Sequence, residues 1–122
     1  MKMIYVASPY SHPDKKIQEE RYVLVSKACA ELVSKGYIAF SPITYGHTLI
    51  GFKDMPGDWK FWNNFCISFL EKCEIMVVLT IPGWEESVGI KEEIEFAEKN
   101  NIKVFYWDGN TLSIPERLTT AF

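Results

Sequence analysis

The sequence predicts an α/β fold, a parallel sheet covered by helices on both faces. Three observations carry that expectation. Short apolar runs alternate with longer stretches whose apolar residues recur every three or four positions, the alternation that builds parallel sheets. The run Ile75-Met76-Val77-Val78-Leu79 is apolar on both faces, as an interior parallel strand must be. The 122 residues, nearly half apolar and a quarter charged, suit one compact domain over residues 1–122.

Met3-Ile4-Tyr5-Val6-Ala7 reads as a buried strand that stops at the turn-rich segment Ser8-Pro9-Tyr10-Ser11-His12-Pro13. From about Asp14 to Lys35 the period becomes helical: Ile17, Leu24, Val25, Ala28 and Leu32 share a stripe, and Gly36 supplies the stop. Tyr37-Ile38-Ala39-Phe40 is a second strand, ended by Ser41-Pro42. Ile43 to Asp58 carries Gly46, Gly51, Pro56 and Gly57 without a sustained period, which predicts a long loop. Trp59 to Glu71 forms a second helix with Trp62, Phe65, Cys66, Phe69 and Leu70 on one side. After the strand Ile75–Leu79 comes the loop Thr80 to Glu86, and Ser87 then caps a third helix reaching about Asn100. Val104-Phe105-Tyr106-Trp107 is a further strand, and the tail beyond Asp108 is weakly determined.

Right-handed crossovers align the loops that follow the strands along one sheet edge, where ligands bind in such folds. The Ser8–Pro13 loop, the Ser41–Asp58 segment and the Thr80–Ser87 loop therefore converge on one cleft, with Asp108 a further candidate.

Formal net charge is −3, with no Lys/Arg run, which argues against binding to nucleic acid polymers or anionic membranes. A small anion remains compatible, since a helix N-terminus and one or two cations suffice. No stretch approaches the apolar length of a membrane span. Met1-Lys2-Met3 leads directly into a strand, without a cleavable leader. Cys29, Cys66 and Cys73, an odd count without CxxC spacing, read as reduced thiols in a cytoplasmic protein. No metal or cofactor is expected: His12 and His47 join no ligand cluster, and neither GxGxxG nor GxxxxGK[ST] is present.

Two charges fall on apolar faces. At about 100° per residue, Ile90, Ile94, Phe96 and Ala97 share one arc of the third helix, and Glu93 falls inside it. Lys91, Glu92, Glu95 and Lys99 fall outside, as a solvated face should. A carboxylate so placed costs free energy unless it is paired, protonated or open to a cleft. It is either a rim or ion-paired group, with Arg21 as the partner, or a partly desolvated nucleophile or base kept ionised by the helix end and cleft donors. Arg21 interrupts the stripe of the first helix. Its guanidinium either reaches back to the Ser8–Ser11 loop to bind a phosphate or carboxylate, or lies at the rim above a packed stem.

Ser87 is a helix cap that also suits an anionic group, and Gly89 would let a ligand approach the backbone. Among aromatics near the cleft, Trp59 and Trp84 suit stacking on a flat base, while Trp62 reads as core. Tyr10 is another aromatic near the cleft, and His47 is either a hydrogen-bonding ligand contact or simply solvated.

Two segments are similar to a known family. Ile4-Tyr5-Val6-Ala7-Ser8-Pro9-Tyr10 resembles the first strand and loop of the nucleoside 2-deoxyribosyltransferase-like superfamily, and Ser87-Val88-Gly89-Ile90-Lys91-Glu92-Glu93-Ile94-Glu95-Phe96-Ala97 resembles its Ser-x-Gly-x-x-x-Glu-x-x-x-Ala signature. The order and spacing over residues 3 to 106 look most like a small branch common in phages and bacteria. The resemblance implies a flavodoxin-like three-layer sandwich with a sheet of four or five strands. It also implies cleavage or exchange of the N-glycosidic bond of a (deoxy)nucleoside or nucleoside 5′-monophosphate. Glu93 would be the nucleophile, Ser87 and the first loop would hold the 5′-phosphate, and Ser8, Tyr10 and Arg21 would be further substrate contacts. Relatives that complete their sites across a dimer make a homo-oligomer compatible.

One departure matters. Many relatives carry an aspartate in the middle of the second helix, and this chain has Cys66 there. A thiol is a poor substitute for a carboxyl group in proton transfer. Asp58 or Glu74 would have to serve instead. The sequence therefore supports three hypotheses, in this order: an N-glycosidase or base-exchanging transferase, a non-catalytic module that binds or sequesters nucleotides in the same cleft, and an interaction domain. An inward-facing Glu93 favours the first two over the third.

Overall fold

The structure is a computed structural model and describes residues 2–116 and 118. Its elements run β1 (Met3–Ala7), α1 (Lys15–Ser34), β2 (Ile38–Phe40), α2 (Pro42–Ile50), α3 (Trp59–Glu71), β3 (Ile75–Leu79), α4 (Val88–Lys99) and β4 (Lys103–Trp107), then a 3-10 turn at Thr111–Ser113. The four strands pair in parallel in the order β2-β1-β3-β4, a flavodoxin-like three-layer arrangement. Among the described residues, no helix is long and apolar enough to cross a membrane.

Strand periodicity sorts the core into two halves. Ile4, Val6, Ile75, Val77 and Leu79 point to one face, where Val25, Ala28 and Leu32 of α1 cover them. Tyr5, Ala7, Met76 and Val78 point to the other, against Cys66 and Leu70 of α3 and Ile90 and Ala97 of α4. Tyr5 is thus directed at the α3/α4 layer by its parity in β1. All five residues of β3 are buried, the expected state of an interior strand.

The sequence places the ends of α1, α3 and α4 within a residue or so. Asp14, Asp58 and Ser87 cap their N-termini by accepting backbone N–H bonds. Gly36 follows α1 with φ of 94°, which only glycine adopts without cost.

Two expectations need correction. Leu24 is 44% exposed rather than part of the buried stripe, because the covered face of α1 is narrower and runs through Val25, Ala28 and Leu32. The segment from Ile43 is not a continuous loop, because Pro42–Ile50 is helical. Ser41 accepts a bond from the Thr44 backbone N–H at 3.1 Å, and Pro42 occupies the first turn, where its missing N–H costs nothing. Gly46, which suggested a break, is a packing glycine. A Cβ there would lie 3.3 Å from the Trp62 ring.

That cap is testable. Ser41→Ala is expected to lower stability by about 1 kcal/mol, read as a shift in the urea midpoint at unchanged slope. An unchanged midpoint would show that α2 does not depend on its Ser41 cap.

Candidate functional site

The order of strands reverses between β1 and β3, so the loops after these two strands diverge and leave a crevice at their carboxyl ends. A cavity of about 590 Å³ occupies it. One wall is the Ser8–His12 loop with Arg21, a second is α2 and the start of α3, and the third is the N-terminal half of α4 from Ser87 to Glu93.

Glu93 is 4% exposed and lies on the cavity wall. Its carboxylate accepts a hydrogen bond from the Tyr5 hydroxyl, itself fully buried. Burial pushes the Glu93 carboxyl up to about 8, opposed in part by the Tyr5 bond, so desolvation outweighs the helix-end and donor effects that would keep it ionised. Burial first and Glu93 second raise Tyr5 well above the usual phenol range. Cys66 lines the same cavity, and its thiol is pushed up to about 12 by burial and then by Glu93. The position where an aspartate was implied is therefore inside the site, as a thiol that keeps its proton.

Arg21 does not pair with Glu93. Its Nη1 donates to the Ser11 carbonyl at 2.9 Å and to the Tyr10 carbonyl at 3.4 Å, which pins the β1–α1 loop. Its Nη2 lies over Gly83, where a Cβ would approach to 2.2 Å and φ is +99°. Only glycine at position 83 leaves room for that guanidinium. Among the described residues, no carboxylate lies within ion-pair distance of Arg21. Ser8 Oγ lines the cavity as well. It is the buried side-chain polar atom that finds no partner among the described residues, a costly state that a ligand would relieve.

Tyr10 and His47 face the cavity and share a 2.8 Å hydrogen bond. Trp59 and Trp62 lie on the α3 side, their indole N–H groups donating to Glu92 and to the Pro56 carbonyl. Ser87 reaches the cavity while its Oγ accepts from the Ile90 backbone N–H at 3.2 Å. Gly89 lines it too, but a Cβ there would lie 3.0 Å from Trp59, so its smallness admits the indole.

The structure brings together Ser8, Tyr10, Arg21, His47, Trp59, Ser87, Gly89 and Glu93. It does not bring Trp84. That ring turns away from the cavity and packs on Tyr106 of β4 at 5.6 Å, because Gly83 bends the loop just before it. Glu74 lies at the other edge of the sheet, accepting a bond from the Met3 backbone N–H at 2.9 Å, whereas Asp58 does reach the rim. Sequence reasoning missed Tyr5, although a phenol in an aliphatic interior strand requires a buried partner. It also missed α2, whose signal was the Ser41-Pro42 helix start; Trp62, read as core, packs on that core and lines the cavity as well.

Residues 2–109 match a family described as Domain of unknown function (DUF1937). The chain belongs to that family. No curated protein matches it. Among the described residues of this DUF1937 chain, no three His, Cys, Asp or Glu side chains are grouped to hold a metal ion.

The charge state of Glu93 gives a stability test. A folded value of about 8 against 4.5 unfolded means the folded state holds the proton more tightly, so stability falls as pH rises from about 4.5 through about 8. At ~1.4 kcal/mol per pKa unit the loss is on the order of 4 kcal/mol. Glu93→Gln, which removes the titration, is expected to gain on wild type by that order between pH 5 and pH 8 in urea unfolding. A gap independent of pH would show that Glu93 is not desolvated.

Proposed function

We propose that this DUF1937 chain cleaves or exchanges the N-glycosidic bond of a (deoxy)nucleoside or nucleoside 5′-monophosphate, with Glu93 as the nucleophile. One observation carries the reading: a carboxyl group taken out of water is fixed by Tyr5 on the wall of a cavity sized for a small molecule (~300–1,000 Å³). A structural carboxylate gains nothing from such a place. A nucleophile gains poor solvation and a fixed direction.

In the first half of the reaction the Glu93 carboxylate attacks the anomeric carbon as the bond to the base nitrogen breaks, giving a glycosyl ester. Water, or a second base, then attacks the same carbon and releases Glu93. The indoles of Trp59 and Trp62 suit a flat base. Ser8, Arg21 and the start of α4 at Ser87 are the donors available to a 5′-phosphate. The likeness of Ser87-Val88-Gly89 and Glu93 to the transferase-like signature supports the same assignment.

The competing reading, a module that binds nucleotides without chemistry, is favoured by the burial that keeps Glu93 protonated near neutral pH. The two part on turnover. Glu93→Gln is expected to abolish free-base release, followed by chromatography, while the ligand's thermal shift survives. In the wild type, kcat/KM is expected to rise with pH up to about 8, as the nucleophile ionises. Binding without any release by the wild type would establish the module, and release by the Gln variant would remove Glu93 from the mechanism.

The donors around Ser87 give a separate outcome. Nucleoside monophosphates are expected to raise Tm more than the matching nucleosides do, and equal shifts would place no phosphate there.

A further inference from the structure

Breaking a bond to a base nitrogen leaves a strongly basic group that needs a proton as it departs. Cys66 holds its proton up to about 12, too tightly to give it up near neutral pH. Elsewhere on the cavity wall, a hydrogen-bonded chain leads outward to solvent. The Tyr10 hydroxyl lies 2.8 Å from His47 Nδ1. His47 Nε2 lies 2.8 Å from the Glu19 carboxylate. Exposure along the chain rises from the cavity outward, with the His47 side chain 25% and the Glu19 side chain 59% accessible.

Three contacts hold it still. Tyr22 of α1 stacks on the His47 ring at 4.0 Å and 23°, while Tyr10 meets it edge-on at 5.8 Å. The Tyr10 carbonyl is held by Arg21, and its ring lies against Gly57, where a Cβ would sit 3.3 Å away. A carboxylate on one imidazole nitrogen and a hydroxyl on the other is the arrangement that lets histidine pass a proton.

Resting on the glycosidic reading, we propose that Glu19, His47 and Tyr10 form a relay that protonates the departing base. In the loaded state the imidazolium donates Nε2–H to Glu19 and Nδ1–H to the Tyr10 oxygen, whose own proton points into the cavity. As Glu93 bonds to the anomeric carbon, the electron pair of the breaking bond goes to the base nitrogen system. The base takes the Tyr10 proton, and Tyr10 is refilled from His47 Nδ1. The net donor is the imidazolium, so a phenol whose burial makes it hold its own proton tightly serves as the conduit. When water attacks the glycosyl ester, its proton returns to Nδ1 through Tyr10 and the relay is reset. Tyr10 is the catalytic residue here, and His47 and Glu19 are positioning residues that act through it. The groups facing His47 are Glu19 and Tyr22 from α1 and Tyr10 from the first loop.

The test compares a purine 2′-deoxynucleoside 5′-monophosphate with its N7-methylated counterpart, whose base departs neutral and needs no proton. With wild type cleaving both, Tyr10→Phe, His47→Gln and Glu19→Gln are each expected to slow release from the unmodified substrate, about 100-fold or more for Tyr10→Phe. The methylated substrate should stay within a few-fold of wild type. Equal losses on both substrates, or no loss on either, would overturn the relay and leave the glycosidic reading standing. Release from neither substrate by wild type would overturn that reading and the relay with it. Glu19 is exposed at the surface, so Glu19→Gln keeps the test open should Tyr10→Phe fail to fold.

Discussion

The site depends on one buried contact, the hydroxyl of Tyr5 donating to the carboxyl group of Glu93. Neither group reaches water through the core, and each would be costly without the other. The bond joins the interior strand β1 to α4 and fixes where the carboxyl group can point. The parity of β1 sets the rest. Tyr5 must face the α3/α4 layer because Ile4 and Val6 face α1, and α4 must present Glu93 opposite it because Ile90 and Ala97 occupy the same helix face.

The cavity follows from topology. With β1 and β3 adjacent and their helices on opposite faces, a crevice is left beyond their carboxyl ends. Small residues then decide how it is lined. Gly46 and Gly89 bring Trp62 and Trp59 against the backbone of α2 and α4, and Gly83 makes room for Arg21. Each glycine trades local stability for a close approach that a Cβ would block.

Most of the fold was legible because its signals are local. The strands are short apolar runs, and α1, α3 and α4 join a polar cap to a clear apolar period, so their bounds come within a residue or so of the pattern. Glu93 was legible for the same reason, as a charge breaking the periodicity of its helix. What the pattern missed depends on contacts distant in sequence. Gly46 looked like a helix breaker until Trp62, sixteen positions on, was found against it, and Tyr5 looked like one more apolar strand residue until Glu93 was found beneath its hydroxyl. Trp84 was misplaced because the positive φ of Gly83 turns the chain, a feature that residue type permits but does not dictate. The His47–Glu19 pair joins two helices, one of which the sequence pattern did not reveal.

The raised value of Glu93 bears on how such a site would work. Burial raises the carboxyl group to about 8 because the Tyr5 bond only partly offsets the loss of water. On the glycosidic reading, the group most able to stabilise the carboxylate is the positive charge that develops at the anomeric carbon as the base departs. That charge is absent from the bound substrate and largest in the transition state. A desolvated carboxylate held rigidly by Tyr5 therefore interacts more strongly with the transition state than with the ground state, the condition that lowers a barrier rather than merely tightening binding. Solvating Glu93 better would ease its ionisation and at the same time weaken that difference. The burial that disfavours the charged form in the free protein is thus the same property that makes the charge effective once the sugar is in place.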